Sequence, residues 1–293
     1  MPDDLRAEVK ALTSIDANLS RRRFMATSAM VAGFAVAAGP LNAQSVITTD
    51  STGLVAGDVA IPIPGGSIPG YRAMPASGGP FPVVVIAHEI FGMHEHIKDV
   101  ARRFAKAGYF AIVPALFTRA GDMSQMTTIE QLRPRVAKVK DSDVMADMDA
   151  AVAFAKASGK ADTTKLGVTG FCGGGRYVWL YCAHNPAVKA GVAWYGPLVG
   201  QPSETRPKNP IDVVADLKAP VLGLYGAADQ GIPVDTVERM RATMTSAGKT
   251  GEILLYEDTP HGFHADYRDS YRPGPAKDGW ARCLAWFRQF GAA

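Results

Sequence analysis

The stretch Gly170-Phe171-Cys172-Gly173-Gly174-Gly175-Arg176 sets a thiol among glycines where the strand-like run Leu166 to Thr169 meets the helix-like run Tyr177 to His184. The pattern G-x-C-x-G is that of a nucleophile elbow, with a cysteine where a serine more often stands. Gly170 and Gly174 suit such a corner: the turn strains the nucleophile's backbone, and side chains on either flank would collide with the neighbouring helix and strand. A helix starting at once would favour a thiolate at its N-terminus and aim backbone N–H groups at a developing oxyanion. The Gly173 N–H is the first donor expected there.

A thiol nucleophile needs a base, and the base needs orienting. Asp229 lies in Leu224-Tyr225-Gly226-Ala227-Ala228-Asp229, a strand ending in a Gly-x-x-Asp turn ahead of a helix. That puts a carboxylate at the same sheet edge as Cys172, although aspartate is also an ordinary turn residue. His261, in Thr259-Pro260-His261-Gly262-Phe263, follows the strand-like Ile253 to Tyr256. From there it would reach back over the sheet edge, accept the thiol proton and be oriented by Asp229. His264 is the rival, but the short His-Gly-Phe turn favours His261. A third loop, Ala87-His88-Glu89-Ile90-Phe91-Gly92, follows the first buried strand and is placed to supply the second oxyanion donor, the Ile90 N–H, with Glu89 near the thiol.

The elements that must hold these loops alternate. Phe81 to Ala87 is a continuous apolar run of strand length, the pattern of a strand buried on both faces. A helix over about 96–107, a strand over 109–113, a helix over about 142–158 and the strand 166–169 follow. Next come a helix over 174–184, a strand over 190–195, the strand 221–225, a helix over about 234–246, the strand 253–256 and a terminal helix over about 277–290. Strands alternating with helices predict an α/β fold, a mostly parallel sheet with helices on both faces. Residues before Phe81 read as a loop rich in Gly and Pro, and the stretch 119–135 as a long loop, either a lid or plain surface.

With nucleophile, acid and histidine in that chain order, the sequence resembles the α/β-hydrolases and, more specifically, the dienelactone hydrolase family. The resemblance runs from about Val83 to the C-terminus. It rests on His88-Glu89-Ile90-Phe91-Gly92, Gly170-Phe171-Cys172-Gly173-Gly174, the Asp229 turn and the His261 turn. It implies an α/β-hydrolase fold and a Cys172-Asp229-His261 triad that opens a lactone or ester through an acyl-enzyme, without metal or organic cofactor. It also implies that Glu89 holds the resting thiol until substrate displaces it. The family's best-known members carry, a few residues after the catalytic histidine, an arginine that pairs with the substrate carboxylate. Here Gly262 to Asp266 offers none and Arg268 falls out of register, so the dienelactone itself is not the expected substrate. His88 stands where those members commonly carry glutamine.

Composition bounds the rest. Of 293 residues, 47% are hydrophobic and 20% charged, which excludes a disordered or collagen-like chain. A net charge of +3 gives no basic stripe, and no nucleic-acid partner is expected. Ser20-Arg21-Arg22-Arg23-Phe24-Met25, followed by a small apolar run to Ala38, resembles a twin-arginine export signal. That run falls short of the roughly 20 apolar residues a membrane span needs, so no stable membrane anchor is expected. Residues 1–43 are read as the signal peptide, with Ala43 the last residue before cleavage, and 44–293 as the mature hydrolase domain. The export machinery is then a partner and the destination periplasmic or secreted. Three cysteines are too few for a disulfide framework, and Cys182 and Cys283 read as small buried residues on helices.

His88, Glu89, His94, Glu95 and His96 are dense in potential metal ligands, but their spacing spreads them across a strand end and a helix start, and they read as polar cap and rim residues. Trp194, Tyr195 and Tyr225 read as core, and Arg176 as pairing with a carboxylate or touching substrate. Two alternatives to an ester or lactone hydrolase are a cysteine peptidase and a non-catalytic periplasmic binding protein on the same fold. An amine leaves less readily than a thiolate from the intermediate, and binding alone does not need all three triad residues.

Overall fold

A hairpin opens the described part of the chain, where the sequence reads as loop. β1 (Leu54–Ile63) and β2 (Gly66–Pro75) pair antiparallel along their whole length, from Leu54↔Pro75 to Ile63↔Gly66, and turn through Gly65 at φ +82°. Pro62 and Pro69 and three glycines dilute the alternating pattern. β1 tolerates Pro62 because it is an edge strand, with one side of its hydrogen-bonding ladder unused, and Pro69 of β2 lies just outside the Gly70–Ala73 ladder to β4. The computed structural model describes residues 46–121, 123, 126 and 128–293. The proposed signal, residues 1–43, lies outside these.

The remaining elements follow the alternation expected: β3 (Phe81–Ala87), α1 (Glu95–Lys106), β4 (Phe110–Pro114), α2 (Ile129–Val136), α3 (Asp141–Ala157), β5 (Ala161–Phe171), α4 (Gly173–His184), β6 (Val188–Trp194), β7 (Val221–Gly226), α5 (Val234–Ser246), β8 (Gly251–Tyr256) and α6 (Pro273–Gln289). The eight strands form one sheet in the order β1-β2-β4-β3-β5-β6-β7-β8, parallel from β4 onward. Val83 to Ala87 in β3 and all of β4 and β7 are buried, as strands covered on both faces must be. On one face Phe104 of α1 meets Phe287 of α6, ring centroids 6.1 Å apart. On the other, Tyr181 of α4 donates to Asp149 of α3 at 2.9 Å.

The long loop expected over 119–135 ends in α2. Thr128 and Gln131 form a reciprocal capping box at its start, and Pro134 inside it hides it from pattern reading. Residues 122, 124, 125 and 127 of that stretch lie outside those described. Cys182 and Cys283 are buried, on α4 and α6, and all three cysteines are free thiols. Among the described residues no helix is long and apolar enough to cross a membrane.

The N-terminal segment is tied to α1 and to the loop before α6 by charge. Asp99 accepts from the Thr49 N–H at 2.5 Å, from Arg102 at 3.1 Å and from Arg103 at 2.6 Å. Asp266 takes Arg103 at 2.7 Å, His96 at 3.1 Å and the Ile47 N–H at 3.3 Å. Both carboxylates are buried, so losing either leaves guanidinium charge poorly compensated in a desolvated place. Asp99→Ala is expected to lower the unfolding free energy by about 3 kcal/mol, read from urea midpoints at constant m.

Candidate active site

Strand register lines up the functional loops. Ala87 pairs with Gly170, Phe171 with Trp194, and Gly226 with Tyr256, so the chain leaves these strands along one carboxyl edge of the sheet. Cys172 sits there as the N-cap of α4 with φ +55° and ψ −122°, a conformation that side-chain-bearing residues rarely adopt. Its N–H donates to the Trp194 carbonyl at 3.0 Å. Two neighbouring glycines are required sterically: a Cβ on Gly170 would lie 2.4 Å from the Gly174 oxygen, and one on Gly174 would lie 2.1 Å from the Ala87 oxygen. Gly173 is different, since a Cβ there meets nothing within 4 Å.

The triad residues come together. His261 Nδ1 donates to Asp229 Oδ2 at 2.7 Å, which leaves its other nitrogen for the Cys172 sulfur, the ring's second hydrogen-bond partner. Asp229 is buried, and its second oxygen accepts from the Gly231 and Ile232 N–H groups at 2.8 and 3.2 Å. Two backbone bonds between the strand-end turns, Ala227 N–H to the Tyr256 carbonyl at 2.8 Å and Ala228 N–H to the Thr259 carbonyl at 3.0 Å, carry Asp229 to His261. Burial alone would depress the His261 pKa, but the charges of Cys172 and Asp229 outweigh it and hold the ring well above the usual histidine range. The arrangement is that of a thiol with an imidazole able to take and return its proton. The rival His264 is packed into the core against Phe171 and Trp194, and burial among positive neighbours drives its pKa far down.

The Gly173 and Ile90 N–H groups, the two expected oxyanion donors, take no acceptor among the described residues. Gly173 is the first residue of α4, where backbone N–H groups have no partner within the helix.

Glu89, the residue expected to hold the resting thiol, is engaged by other groups here. Its buried carboxylate accepts from Tyr267 Oη at 2.6 Å and His94 Nε2 at 3.2 Å, and its other oxygen lies 3.9 Å from an Arg268 nitrogen. No hydrogen bond joins it to the sulfur of Cys172. A desolvated carboxylate requires compensating charge. Burial would raise its pKa, yet Arg268 and His94 hold it well below the usual carboxylate range. To hold the thiol, Glu89 would have to leave Tyr267 and His94.

Arg268 is the residue that sequence reading set aside and the fold brings in. It packs beside Gly262 in the histidine turn, its guanidinium 5.0 Å from the Phe91 ring centre, and it is electrostatically coupled to Glu89 and Cys172. Tyr267 was also missed, and Tyr195, expected as core, has a second character. Tyr195 is buried at φ +38°, its ring 5.1 Å from that of His261, and its hydroxyl has no hydrogen-bond partner among the described residues. No local pattern marks these residues, because their roles come from loops distant in sequence. Arg176 resolves as structural, bidentate to Asp141 at 2.7 and 2.8 Å.

The five-residue block read as cap and rim is largely buried. His88, Glu89, His94 and His96 are enclosed, each with a hydrogen-bonded partner, and only Glu95 reaches out, to Arg102 at 2.6 Å. Among the described residues no three His, Cys, Asp or Glu side chains are grouped to hold a metal ion.

The dienelactone hydrolase family model matches residues 68–291. The chain belongs to the dienelactone hydrolase family. A provisionally named carboxymethylenebutenolidase of Methylorubrum extorquens is 60% identical over 288 residues, 98% of each chain. One from Escherichia coli (strain K12) is 49% identical over 88% of this chain and 96% of its own. A crystal structure of a provisionally named dienelactone hydrolase from Klebsiella pneumoniae subsp. pneumoniae MGH 78578 superposes with a TM-score of 0.79 at 51% identity, covering 81% of this chain and 99% of that one. Family membership with these relatives makes this dienelactone hydrolase homologue an enzyme of the ester- and lactone-hydrolysing class.

Its buried histidines set an acid limit. Burial lowers His88 and His94 from the usual 6.5 to about 4. The unfolded chain therefore binds more protons than the folded one below pH 6.5, and stability falls as pH drops from there toward 4. His88 alone accounts for about 3 kcal/mol by pH 4. His261, with its pKa raised, acts in the opposite sense, its contribution lost as pH rises. Urea midpoints should decline steadily between pH 6.5 and 4.5, and a flat profile would contradict this reading.

Proposed function

We propose that this chain hydrolyses an ester or lactone bearing an anionic group, through an acyl-enzyme on Cys172. The observation that carries the reading is the elbow thiol bonded to His261, itself held by Asp229 at 2.7 Å. The thiolate attacks the carbonyl carbon, and the oxyanion is received by the Ile90 and Gly173 N–H groups. The intermediate collapses, the carbon–oxygen bond breaks, and imidazolium His261 protonates the departing oxygen. In a lactone that oxygen stays tethered to the acyl group. His261 then takes a proton from water, whose oxygen attacks the thioester, and the acid leaves as the thiolate and imidazolium re-form. Asp229 fixes the tautomer throughout.

The anionic preference rests on Arg268. Arg268 donates from Nε to the Tyr267 hydroxyl at 3.1 Å while its Nη2 stands 3.9 Å from Glu89, and a guanidinium so held and electrostatically coupled to Cys172 is suited to bind a substrate carboxylate. Glu89, which shares that charge, would compete with the substrate for it.

Hydrolysis of p-nitrophenyl acetate and a carboxylated analogue tests both points together. Cys172→Ala is expected to cost at least roughly a thousandfold in kcat and to abolish the acyl adduct seen by intact mass. Arg268→Met is expected to raise KM for the carboxylated ester roughly ten- to a hundredfold relative to the neutral one, a ratio that cancels any loss of folded protein. Turnover that survives Cys172→Ala would sink the mechanism.

Twin-arginine export with cleavage after Ala43 is part of the same proposal, supported by the arginine pair and apolar run of residues 20–38. N-terminal sequencing of periplasmic protein should begin at Gln44, and a retained Met1 would refute it.

A further inference from the structure

His88 makes two hydrogen bonds, and together they fix its protonation. The Leu116 N–H donates to Nε2 at 3.0 Å, so Nε2 bears the lone pair. Nδ1 therefore carries the proton and donates to the Glu89 carbonyl at 2.7 Å. The ring is buried and braced edge-on by Phe117, centroids 4.9 Å apart at 85°.

The Glu89 carbonyl has a second donor, the Gly92 N–H at 3.1 Å. Among the described residues the only cis peptide is Gly79–Pro80, so the Glu89–Ile90 peptide is trans. In a trans peptide the N–H points away from the carbonyl. Two donors that pull the carbonyl to one side thus present the Ile90 N–H on the other. This loop leaves β3 beside the elbow, close enough that a Cβ on Gly174 would lie 2.7 Å from the His88 oxygen.

We propose that His88 is a positioning residue for the oxyanion hole, locking the Glu89–Ile90 peptide so that the Ile90 N–H faces the carbonyl attacked by Cys172. The inference rests on the acyl-enzyme reading above. Gly92 alone would hold the peptide only to its own turn. His88 ties it to Leu116, just past the end of β4, across 28 residues of sequence. Without the Nδ1 donor the peptide can flip, and a flip replaces the Ile90 N–H with a carbonyl oxygen that repels an oxyanion.

Two substitutions separate positioning from mere support. His88→Leu removes both bonds. His88→Asn keeps an amide donor where Nδ1 stands but leaves the Leu116 N–H unbonded. Both should lose similar thermal stability. His88→Leu is expected to lower kcat on p-nitrophenyl acetate roughly ten- to a hundredfold, less than the loss of a whole donor because Gly92 still holds the carbonyl. His88→Asn should recover most of that loss. Alkylation of Cys172 by iodoacetamide passes through no oxyanion, so its rate should stay near wild type in both.

Unchanged kcat in His88→Leu overturns the proposal, and so does a fall in kcat matched by a fall in alkylation, or Asn no better than Leu at equal Tm. If His88→Leu does not fold, His88→Gln takes its place, since its amide reaches Leu116 but does not donate from the Nδ1 position. Retained kcat there overturns the proposal too. Failure of the acyl-enzyme reading would look different, as wild-type protein without Cys172-dependent turnover.

Discussion

The site depends on how closely the first turn of α4 approaches the end of β3. Gly174 packs on the Ala87 oxygen with no room for a methyl group, and Gly170 packs on Gly174 in the same way. This contact forces the chain to turn at Cys172 within one residue and accounts for its left-handed backbone. It also sets the loop after β3 against the helix N-terminus, where the His88 carbonyl leaves no room for a Cβ on Gly174. The parallel sheet extends the constraint: once β5 is in register with β3 and β6, the exits of β7 and β8 fall along the same edge, and Asp229 and His261 have a short span left to close.

A second organising demand is charge. Buried Glu89 draws Tyr267, His94 and Arg268 around itself, and Asp99 and Asp266 do the same for Arg102, Arg103 and His96. The two clusters meet the loop between β8 and α6 at consecutive residues, Asp266 in one and Tyr267 and Arg268 in the other, so both hold its middle. In the first cluster Arg268 stands 3.9 Å from the carboxylate, and its Nε donates to the Tyr267 hydroxyl at 3.1 Å.

Much of this was legible in the sequence wherever one local pattern decided the outcome. Buried parallel strands announce themselves as apolar runs, and G-x-C-x-G, the Asp229 turn and the His-Gly-Phe turn each carry their chemistry within a few residues. The hairpin β1–β2 is unreadable from the sequence because edge strand β1, and β2 outside its short ladder to β4, tolerate the prolines and glycines that otherwise signal loop. α2 was hidden by Pro134. Arg268 was set aside on register, yet a guanidinium on a long side chain reaches a place that counting from the histidine does not reveal. The buried state of the His88 to His96 block was unreadable for a related reason: a polar side chain is buried only when its partner arrives, and partners such as Tyr267, Asp266 and Leu116 come from other strands and loops.

The distribution of sulfur has a redox consequence. Cys182 and Cys283 are sealed in the core as free thiols, and burial pushes both their pKa values upward, away from the reactive thiolate form. Cys172 alone is partly open to solvent and set beside a proton acceptor. An oxidant meeting the folded enzyme therefore finds one thiol target. Its first product, a sulfenic acid, has no thiol beside it to trap it as an internal disulfide, so an external thiol can return Cys172 to its reduced form.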